Sequence, residues 1–312
     1  MPPATTFSVV VTNYNYRDFV VEAVDSALAQ TRAPVQIIIV DDGSTDGSQE
    51  LLRERYGADA RITLRCVVNG GQLSAFVKGI DGVAGDVICF LDADDRWEPD
   101  YLARIGEVYD ARKEVDFVFT DVRIFGNEDG ADGYADTAVD LGYTAISTWV
   151  TGHWYGAPTS ALSMRRPWAL RTLDVPPGFL QTWRISADNC LVFGASVLGA
   201  RKYFLPTGQV HYRVHGNNGW WHTRHMESQF ANRFRSRCLI NHYARIVGMD
   251  ELMLDLVKAE FLSKPAPSVA ETRRYSRIAM RGSAPWIKRF KRALSIVRKG
   301  RSQRSGPAPG GK

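Results

Sequence analysis

Long apolar segments are missing from this 312-residue chain. No run approaches the roughly 20 apolar residues of a membrane-spanning helix, and the N-terminus lacks a basic-then-apolar signal sequence. Cysteine is scarce as well: the four cysteines are widely spaced and lie mostly in apolar stretches (Cys66, Cys89, Cys190 and Cys238). They predict free thiols in a reducing compartment, with neither disulfides nor a cysteine metal site. We therefore expect a cytoplasmic protein without a membrane span.

Acidic residues are absent from the C-terminal end. Residues 273–312 carry 13 Lys/Arg and no Asp/Glu, so residues 1–272 carry the other 26 Lys/Arg against all 34 Asp/Glu, a net charge of −8. The net charge of +5 for the whole chain therefore comes from its tail. Because basic residues cluster there and the remainder is acidic, we expect no nucleic-acid partner.

Glycine is missing from the loop that follows the first predicted strand, where residues 12–16 read Thr-Asn-Tyr-Asn-Tyr. A nicotinamide-dependent oxidoreductase requires Gly-x-Gly-x-x-Gly at this point. A sugar nucleotidyltransferase usually has a glycine-rich, Arg-containing loop that holds a triphosphate. Neither class fits this loop, although a nucleotidyltransferase stays as an alternative because it shares the sheet and the metal chemistry described below.

Strands and helices alternate over the first hundred residues. Apolar runs without alternation predict strands buried on both faces, at residues 7–11, 35–40, 62–68 and 87–91. A polar loop follows each strand, at residues 12–16, 41–48, 69–72 and 92–95. This pattern predicts an α/β fold with an open, mostly parallel twisted sheet flanked by helices, in which ligands bind beyond the carboxyl ends of the strands. We therefore expect the four loops to line one crevice.

The loop after the fourth strand holds three aspartates in four positions. In extended backbone the side chains of Asp92 and Asp94 point the same way, because side-chain direction repeats every two residues. Two carboxylates aimed at one point repel each other unless a cation or a proton lies between them, and oxygen ligands suit Mg²⁺ or Mn²⁺. The loop therefore predicts a divalent-metal site; the alternative is an acidic turn in which Asp95 caps a helix before Pro99.

The later part of the chain gives three further predictions. Residues 126–142, rich in Gly, Asp and Ala, predict a mobile surface excursion. Asp188 falls in the first turn of a predicted helix, where a carboxylate is favoured electrostatically. Residues 215–221 place two glycines around polar and aromatic side chains, as a closing lid requires.

Residues 264–267 (Lys-Pro-Ala-Pro) predict a linker before a basic helix. Apolar side chains fall on one face of that helix, ringed by Lys and Arg, at Trp286, Ile287, Phe290, Leu294 and Val297. Such a helix favours an anionic membrane surface, so we expect residues 282–301 to bind one; a solvated, partly disordered tail is the alternative. The predicted domains are residues 1–218 (catalytic), 219–263 (helical subdomain or lid) and 264–312 (basic tail).

Five short stretches occur in a distinctive order: VVVTNYN at residues 9–15, VDDGSTD at 40–46, NGG at 69–71, LDADD at 91–95 and YRVHGNN at 212–218. In order and spacing they cover about residues 7–218. Together they resemble the inverting family 2 glycosyltransferases of GT-A fold. The resemblance implies a nucleotide-diphosphate sugar donor, with UDP favoured, and a Mn²⁺ or Mg²⁺ cofactor.

The resemblance also implies roles by position. Thr12, Tyr14 and Asp41 would contact the base and ribose, with Asp41 accepting a hydrogen bond from a uracil-like imide. Asp92 would reach the ribose or the metal, and Asp94 would hold the cation that bridges the diphosphate. Other residues implied at the nucleotide, the metal or a diphosphate lid are Asn13, Asp42, Gly71, Arg213, His215 and Asn218.

Asp188 matches the family's catalytic base, which removes a proton from the acceptor hydroxyl as that oxygen attacks the anomeric carbon. The chain departs from many relatives in having Ala187, not an acidic residue, before this base. It also has Phe76 and Val77 where many relatives carry Arg-Asn, so Gln72 and Lys78 are possible substitutes at the nucleotide.

The expected activity is transfer of one hexose or N-acetylhexosamine to a glycan or lipid-linked acceptor, at the cytosolic membrane face, in surface polysaccharide assembly. The chain lacks the Gln-x-x-Arg-Trp of processive synthases and a membrane span, which favours single transfer over polymer extrusion. A catalytically inactive GT-A scaffold at the membrane is a further alternative.

Overall fold

The computed structural model describes residues 3–216 and 226–305. Within them the strands are β1 (Phe7–Asn13), β2 (Gln36–Asp41), β3 (Ile62–Cys66), β4 (Val87–Asp92), β5 (Arg96–Trp97), β6 (Phe117–Thr120), β7 (Val122–Gly126), β8 (Gly130–Asp132), β9 (Val139–Gly142), β10 (Leu162–Arg165), β11 (Lys202–Leu205) and β12 (Val210–Val214). The helices are α1 (Arg17–Leu28), α2 (Ser48–Tyr56), α3 (Gln72–Gly79), α4 (Tyr101–Ala111), α5 (Ala145–Thr151), α6 (Arg166–Leu173), α7 (Pro177–Thr182), α8 (Asp188–Leu198), α9 (Met226–Ile246), α10 (Val257–Leu262), α11 (Val269–Ala279) and α12 (Trp286–Ser305). Short 3₁₀ turns occupy Thr159–Ala161 and Glu251–Leu256.

The main sheet confirms the predicted open, mostly parallel arrangement. Its order is β3-β2-β1-β4-β10-β6-β11-β9, and the first four strands in this order run parallel to one another. Every residue of β1 is buried, which accounts for its apolar run without alternation. The register pairs Thr12 with Asp92 and Asn13 with Asp41, so polar residues that end three different strands are direct neighbours.

Residues 126–142, predicted to be a mobile surface excursion, lie largely at the surface but include two strands that the composition did not reveal. They include β8, which pairs with β7 in a second sheet of order β5-β12-β7-β8, and β9, which pairs with β11 at the edge of the main sheet. Both strands are short, and β8 is wholly exposed, so neither has the apolar period by which a strand is recognised. The bonds from β9 go to a strand some sixty residues later, which local pattern does not reveal.

A second hydrophobic cluster joins the C-terminal helices to α5. Its buried members are Ile146, Leu254, Val257, Phe261, Tyr275, Ile278, Ala279, Ala293 and Ile296. These residues come from both sides of the predicted domain boundary between residues 263 and 264. This boundary therefore does not separate two hydrophobic cores. Part of α9 packs instead in the main core, through Leu239, Ile240, Tyr243 and Ala244.

Buried polar groups cross the same interface. The carboxylate of Glu260 accepts hydrogen bonds from the backbone amides of Ile146 and Ser147, at 2.7 and 3.0 Å, and from the hydroxyl of Tyr275 at 2.7 Å. Both amides lie in the first turn of α5, where backbone N–H groups have no partner within the helix, and Glu260 satisfies them.

Lys264, placed by the sequence in a linker, is 1% exposed. Its ammonium lies 3.5 Å from the carboxylate of Glu271 and donates to the carbonyl of Tyr143 at 3.2 Å, and burial lowers its pKa to about 7. The predicted linker is therefore part of a packed interface. Among the described helices, none combines the length and the apolar composition needed to cross a bilayer.

Candidate active site at the carboxyl edge of the sheet

The polar loops at the ends of the strands hold one another in place. The carboxylate of Asp42 accepts hydrogen bonds from the backbone amides of Gly70 and Gly71, at 2.8 and 2.7 Å. The hydroxyl of Thr12 donates to Asp92 across an Oγ1–Oδ1 distance of 2.9 Å. The four loops therefore meet at one edge, as the parallel pattern predicts. The hydrogen bond between Asp42 and Gly71 joins the loop after β2 to the loop after β3.

Asp41, at the end of β2, is fully buried and held by three donors. Its Oδ1 accepts from the backbone amide of Ser44 and from Gln49, and its Oδ2 accepts from Nδ2 of Asn13 at 2.7 Å. Tyr14, in the loop after β1, is 48% exposed. Of the residues predicted at the nucleotide, Asn13 and Asp41 are thus buried and hydrogen-bonded to each other, whereas the ring of Tyr14 is exposed.

Three carboxylates crowd the loop after β4. Burial, and then the charge of Asp94, raises the pKa of Asp92 to about 7, and burial also raises the pKa of Asp95. Oδ2 of Asp94 lies 3.0 Å from Nε2 of His215, whose ring packs edge-on against Tyr16 with centroids 5.3 Å apart. Like charges held this close favour a cation among them.

Asp94 and His215 are the adjacent side chains that could hold a divalent cation together with substrate phosphates and water. In the part of the chain that the structure describes, no group of three or more His, Cys, Asp or Glu side chains forms a complete metal site.

Asp95 connects β12 to the loop after β4; it does not cap a helix. Its Oδ2 accepts from the hydroxyl of Ser160 at 2.6 Å, and its Oδ1 accepts from the backbone amide of Arg213 at 2.8 Å. Arg213 donates through Nε to the carbonyl of Asp94 at 2.8 Å and pairs with Glu22 on α1. We therefore reassign Arg213 from the diphosphate to the support of the Asp94 loop.

Two other predicted residues, Lys78 and Asn218, have different outcomes. Lys78 is exposed in the last turn of α3, six residues after Gln72, which is about 9 Å along the helix axis. The nucleotide contact predicted for Lys78 stays a prediction. Asn218 lies outside the described residues, as does most of the predicted lid at residues 215–221.

Asp188 is the first residue of α8 and is partly exposed. Its Oδ1 accepts from the backbone amide of Asn189 at 2.9 Å, and Ser186, just before it, has a φ of +58°, in the left-handed region. Such a backbone persists only where its surroundings enforce it, and it is often found at functional sites. Burial raises the pKa of Asp188 to about 6, close to the value that suits a general base.

Gln72 joins Asp188 to the aspartate loop across the cleft. Its Nε2 donates to Asp92 at 3.1 Å, and its Oε1 accepts from the backbone amide of Ala187 at 2.9 Å. Burial, and then the charges of the aspartate loop and of Asp188, raises the pKa of the Tyr212 phenol on β12. Gln72 therefore links the aspartate loop, where Asp94 lies beside His215, to the peptide before the Asp188 carboxylate.

Sequence reasoning missed Thr159 and Ser160, which form a 3₁₀ turn under the aspartate loop. The hydroxyl of Ser160 accepts from the backbone amide of Asp92 at 3.0 Å, and that of Thr159 accepts from Gln72 at 3.3 Å. Glu22 was missed as well. These residues are separated from their partners by tens to hundreds of positions, and no local motif marks them.

Comparisons with known proteins agree with this geometry. The family model described as Glycosyl transferase family 2 matches residues 8–169. An uncharacterized glycosyltransferase of Nostoc sp. is 36% identical over 214 residues, which are 68% of this chain and 65% of the relative. Chondroitin synthase of Pasteurella multocida is 26% identical over 232 residues, 73% of this chain and 22% of that protein. The chain thus spans less than two thirds of either curated relative.

A solved structure shows the same fold. Staphylococcus aureus TarS 1–349, in complex with UDP-GlcNAc, superposes with a TM-score of 0.55 at 13% identity over 95% of this chain and 92% of that chain. This likeness confirms the GT-A fold. The family match covers half of the chain, including the four loops and the 3₁₀ turn of the cleft, and this chain therefore belongs to glycosyl transferase family 2.

Proposed function

We propose that this protein transfers a single hexosyl or N-acetylhexosaminyl group from a UDP-sugar to a hydroxyl of a glycan or lipid-linked acceptor, with inversion at the anomeric carbon. The observation that carries the proposal is the cleft itself. The loop after β4 holds Asp94 beside His215, and Gln72 bonds both to Asp92 in that loop and to the amide of Ala187, the residue before Asp188.

The donor side suits a nucleoside diphosphate. Tyr14 offers an exposed ring to a base or ribose. Asp41 is buried and bonded to Asn13, so its proposed contact with an imide N–H of uracil requires the base to reach the remaining lone pair of that carboxylate. Thr12 lies beside Asp92 at the next strand end. TarS was solved with UDP-GlcNAc and chondroitin synthase builds a glycan, which supports a UDP-sugar and a role in polysaccharide assembly.

Mn²⁺ or Mg²⁺ would be held by Asp94 and His215, with Asp92 at its edge. When bound, it would neutralise charge on the departing diphosphate. The protein supplies the placement: Asp95 and Arg213 fix the backbone of the aspartate loop, and Tyr16 packs against the imidazole.

The acceptor side needs one base and no covalent intermediate. The carboxylate of Asp188 takes the proton of the acceptor hydroxyl while that oxygen bonds to the anomeric carbon from the face opposite the diphosphate. The bond from the anomeric carbon to the phosphate oxygen breaks, and its electron pair leaves with the nucleoside diphosphate. One displacement at one carbon inverts its configuration.

The transfer rate should depend on pH through Asp188. Because burial raises its pKa to about 6 and only the carboxylate accepts a proton, we expect kcat to fall about tenfold per pH unit below 6 and to level off above 7. Donor affinity measured at each pH by calorimetry is the control. A kcat that is flat or rises between pH 7 and pH 5 would contradict the role of Asp188.

Two alternatives are separated by one experiment. A catalytically inactive scaffold would bind nucleotide sugars without turnover, and a sugar nucleotidyltransferase would consume a nucleoside triphosphate and a sugar phosphate. Thermal-shift screening of UDP-, GDP- and dTDP-sugars, with and without Mn²⁺, should find a UDP-sugar that stabilises the protein. Release of UDP with an acceptor glycan added then supports transfer, whereas binding without release supports a scaffold.

The outward face of α12 supports a second part of the proposal, docking to an anionic membrane surface. Ala293 and Ile296 pack inward, while the exposed apolar side chains are Trp286, Ile287, Phe290 and Leu294. Exposed Lys and Arg surround them, at Lys288, Lys291, Arg298, Lys299 and Arg301. An apolar stripe rimmed by cations fits anionic lipid headgroups better than water. Docking would also bring the enzyme to the membrane that holds a lipid-linked acceptor.

Acidic substitutions on this face test the docking. Ile287→Glu combined with Phe290→Glu should reduce co-flotation with phosphatidylglycerol vesicles at least tenfold, because both side chains are about half exposed and the change adds like charge without disturbing a core. Phe230→Glu with Phe234→Glu, a similarly exposed pair on α9, is the matched control. Equal flotation of the two double variants would refute the docking face.

A further inference from the structure

The start of α3 and the segment before Asp188 are joined through their backbones. The amide of Gln72 donates to the carbonyl of Arg184 at 2.8 Å, and the amide of Leu73 donates to that of Trp183 at 3.3 Å. These are the donors that a helix start leaves open, and no side chain caps them here. Gly71 enables the contact, since a Cβ at this position would come within 2.5 Å of the Cα of Arg184.

The side chain of Gln72 adds a directed bridge to this contact. Nε2 donates to both oxygens of Asp92, at 3.1 and 3.3 Å, and to Thr159, while Oε1 accepts from the amide of Ala187. The orientation of the amide follows from its partners. A flipped amide would face a donor with a donor and a carboxylate with an oxygen, losing both contacts.

We propose that Gln72 is a positioning residue that couples the donor-binding aspartate loop to the catalytic base, and does not itself bind the nucleotide. Its two ends fix Asp92, at the carboxyl end of β4, and the peptide that precedes Asp188. Ala187 follows Ser186, whose backbone is held in the left-handed region, so the bond to Gln72 fixes the direction in which α8 starts. The inference rests on the proposed transfer reaction.

The coupling has a kinetic consequence. Without the bridge, Asp92 is still held by the hydroxyl of Thr12 at 2.9 Å, so the contacts to the nucleotide should largely remain. The peptide before Asp188 loses its bond to Gln72, and the base is free to move relative to the anomeric carbon. A misplacement of about 1 Å can cost a hundredfold in rate. Gln72→Met, which keeps the length of the side chain and removes its polar atoms, should therefore lower kcat about 10- to 100-fold and change the Kd of UDP with Mn²⁺ less than threefold.

Gln30 provides a matched control far from the cleft. It is 5% exposed, donates to the carbonyls of Ser26 and Glu98, and accepts from the amide of Leu102. Gln30→Met should lower the melting temperature and leave kcat unchanged. Gln72→Asn, one methylene too short to span both partners, repeats the test if Gln72→Met does not fold.

Hydrogen exchange at the amide of Ala187 tests the Gln72 bridge whether or not the protein transfers sugar. The amide of Ala187 should exchange at least tenfold faster in Gln72→Met or Gln72→Asn than in the wild type or Gln30→Met. Unchanged exchange, or a kcat no lower than that of Gln30→Met, overturns the coupling, as does a loss that lies wholly in the Kd of UDP. Absence of turnover in the wild type would instead overturn the proposed function, while faster exchange in the variants would still show that the bridge exists.

Discussion

Asp188→Asn is expected to lower kcat about a thousandfold while leaving the Kd of the UDP-sugar within twofold of wild type. The amide has nearly the same shape but accepts no proton at neutral pH, and positioned general bases contribute between a hundred- and ten-thousandfold. In the proposed reaction Asp188 acts on the acceptor, so the donor site should be unaffected. UDP release with saturating donor and acceptor measures the effect.

The melting temperature of Asp188→Asn shows whether a loss of activity comes from unfolding. A carboxyl whose pKa is raised on folding binds protons more tightly in the folded state, so ionised Asp188 destabilises the protein at pH 7. Asparagine removes that cost, and the melting temperature should equal or exceed that of the wild type. Asp174→Asn, at an exposed carboxyl just after α6, is the control and should retain full activity. More than a tenth of wild-type kcat in Asp188→Asn would exclude Asp188 as the base.

Asp94→Asn is expected to abolish the Mn²⁺-dependent binding of UDP and to lower kcat more than a thousandfold. It removes one of the two proposed metal ligands, the partner of His215, and keeps the shape of the side chain. Calorimetric titration of UDP with Mn²⁺, and with EDTA in its place, measures the effect. In the wild type, EDTA should reproduce the loss.

Asp95→Asn distinguishes metal binding from support of the loop. Both oxygens of Asp95 accept structural hydrogen bonds, from Ser160 and from the amide of Arg213. An asparagine keeps only one acceptor, and its NH₂ group would have to donate to the hydroxyl of Ser160, which already accepts from the amide of Asp92. We expect Asp95→Asn to lower the melting temperature, whereas Asp94→Asn should keep it, since one of three crowded charges is removed. Full Mn²⁺-dependent activity in Asp94→Asn would refute the metal site.

The sequence was most informative at the ends of the parallel strands. Apolar runs located β1, β2 and β4, and because parallel strands end at a common edge, the convergence of their loops followed without coordinates. The register that sets Thr12 beside Asp92 is a direct outcome of that geometry. Family resemblance then gave the order of the motifs, and both the fold and the family are confirmed.

Side-chain direction was much less predictable. Arg213 is a basic residue within a family motif, yet it is held by Glu22. Gln72 appeared as a substitute for a missing nucleotide contact, and its partners lie 20 and 115 positions away. Contacts over such separations are decided by how elements pack, which a single sequence does not display.

The C-terminal helices also support the helix that begins at Asp188. Tyr275 lies against Glu260, Glu260 holds the first turn of α5, and α5 packs against α8, the helix that Asp188 begins. A premature stop codon after residue 263 would strip this stack of its support, although every motif of the cleft would still be translated. We expect this truncation to inactivate the protein, because it removes the packing that supports α5 and α8 even though the residues of the cleft are unchanged.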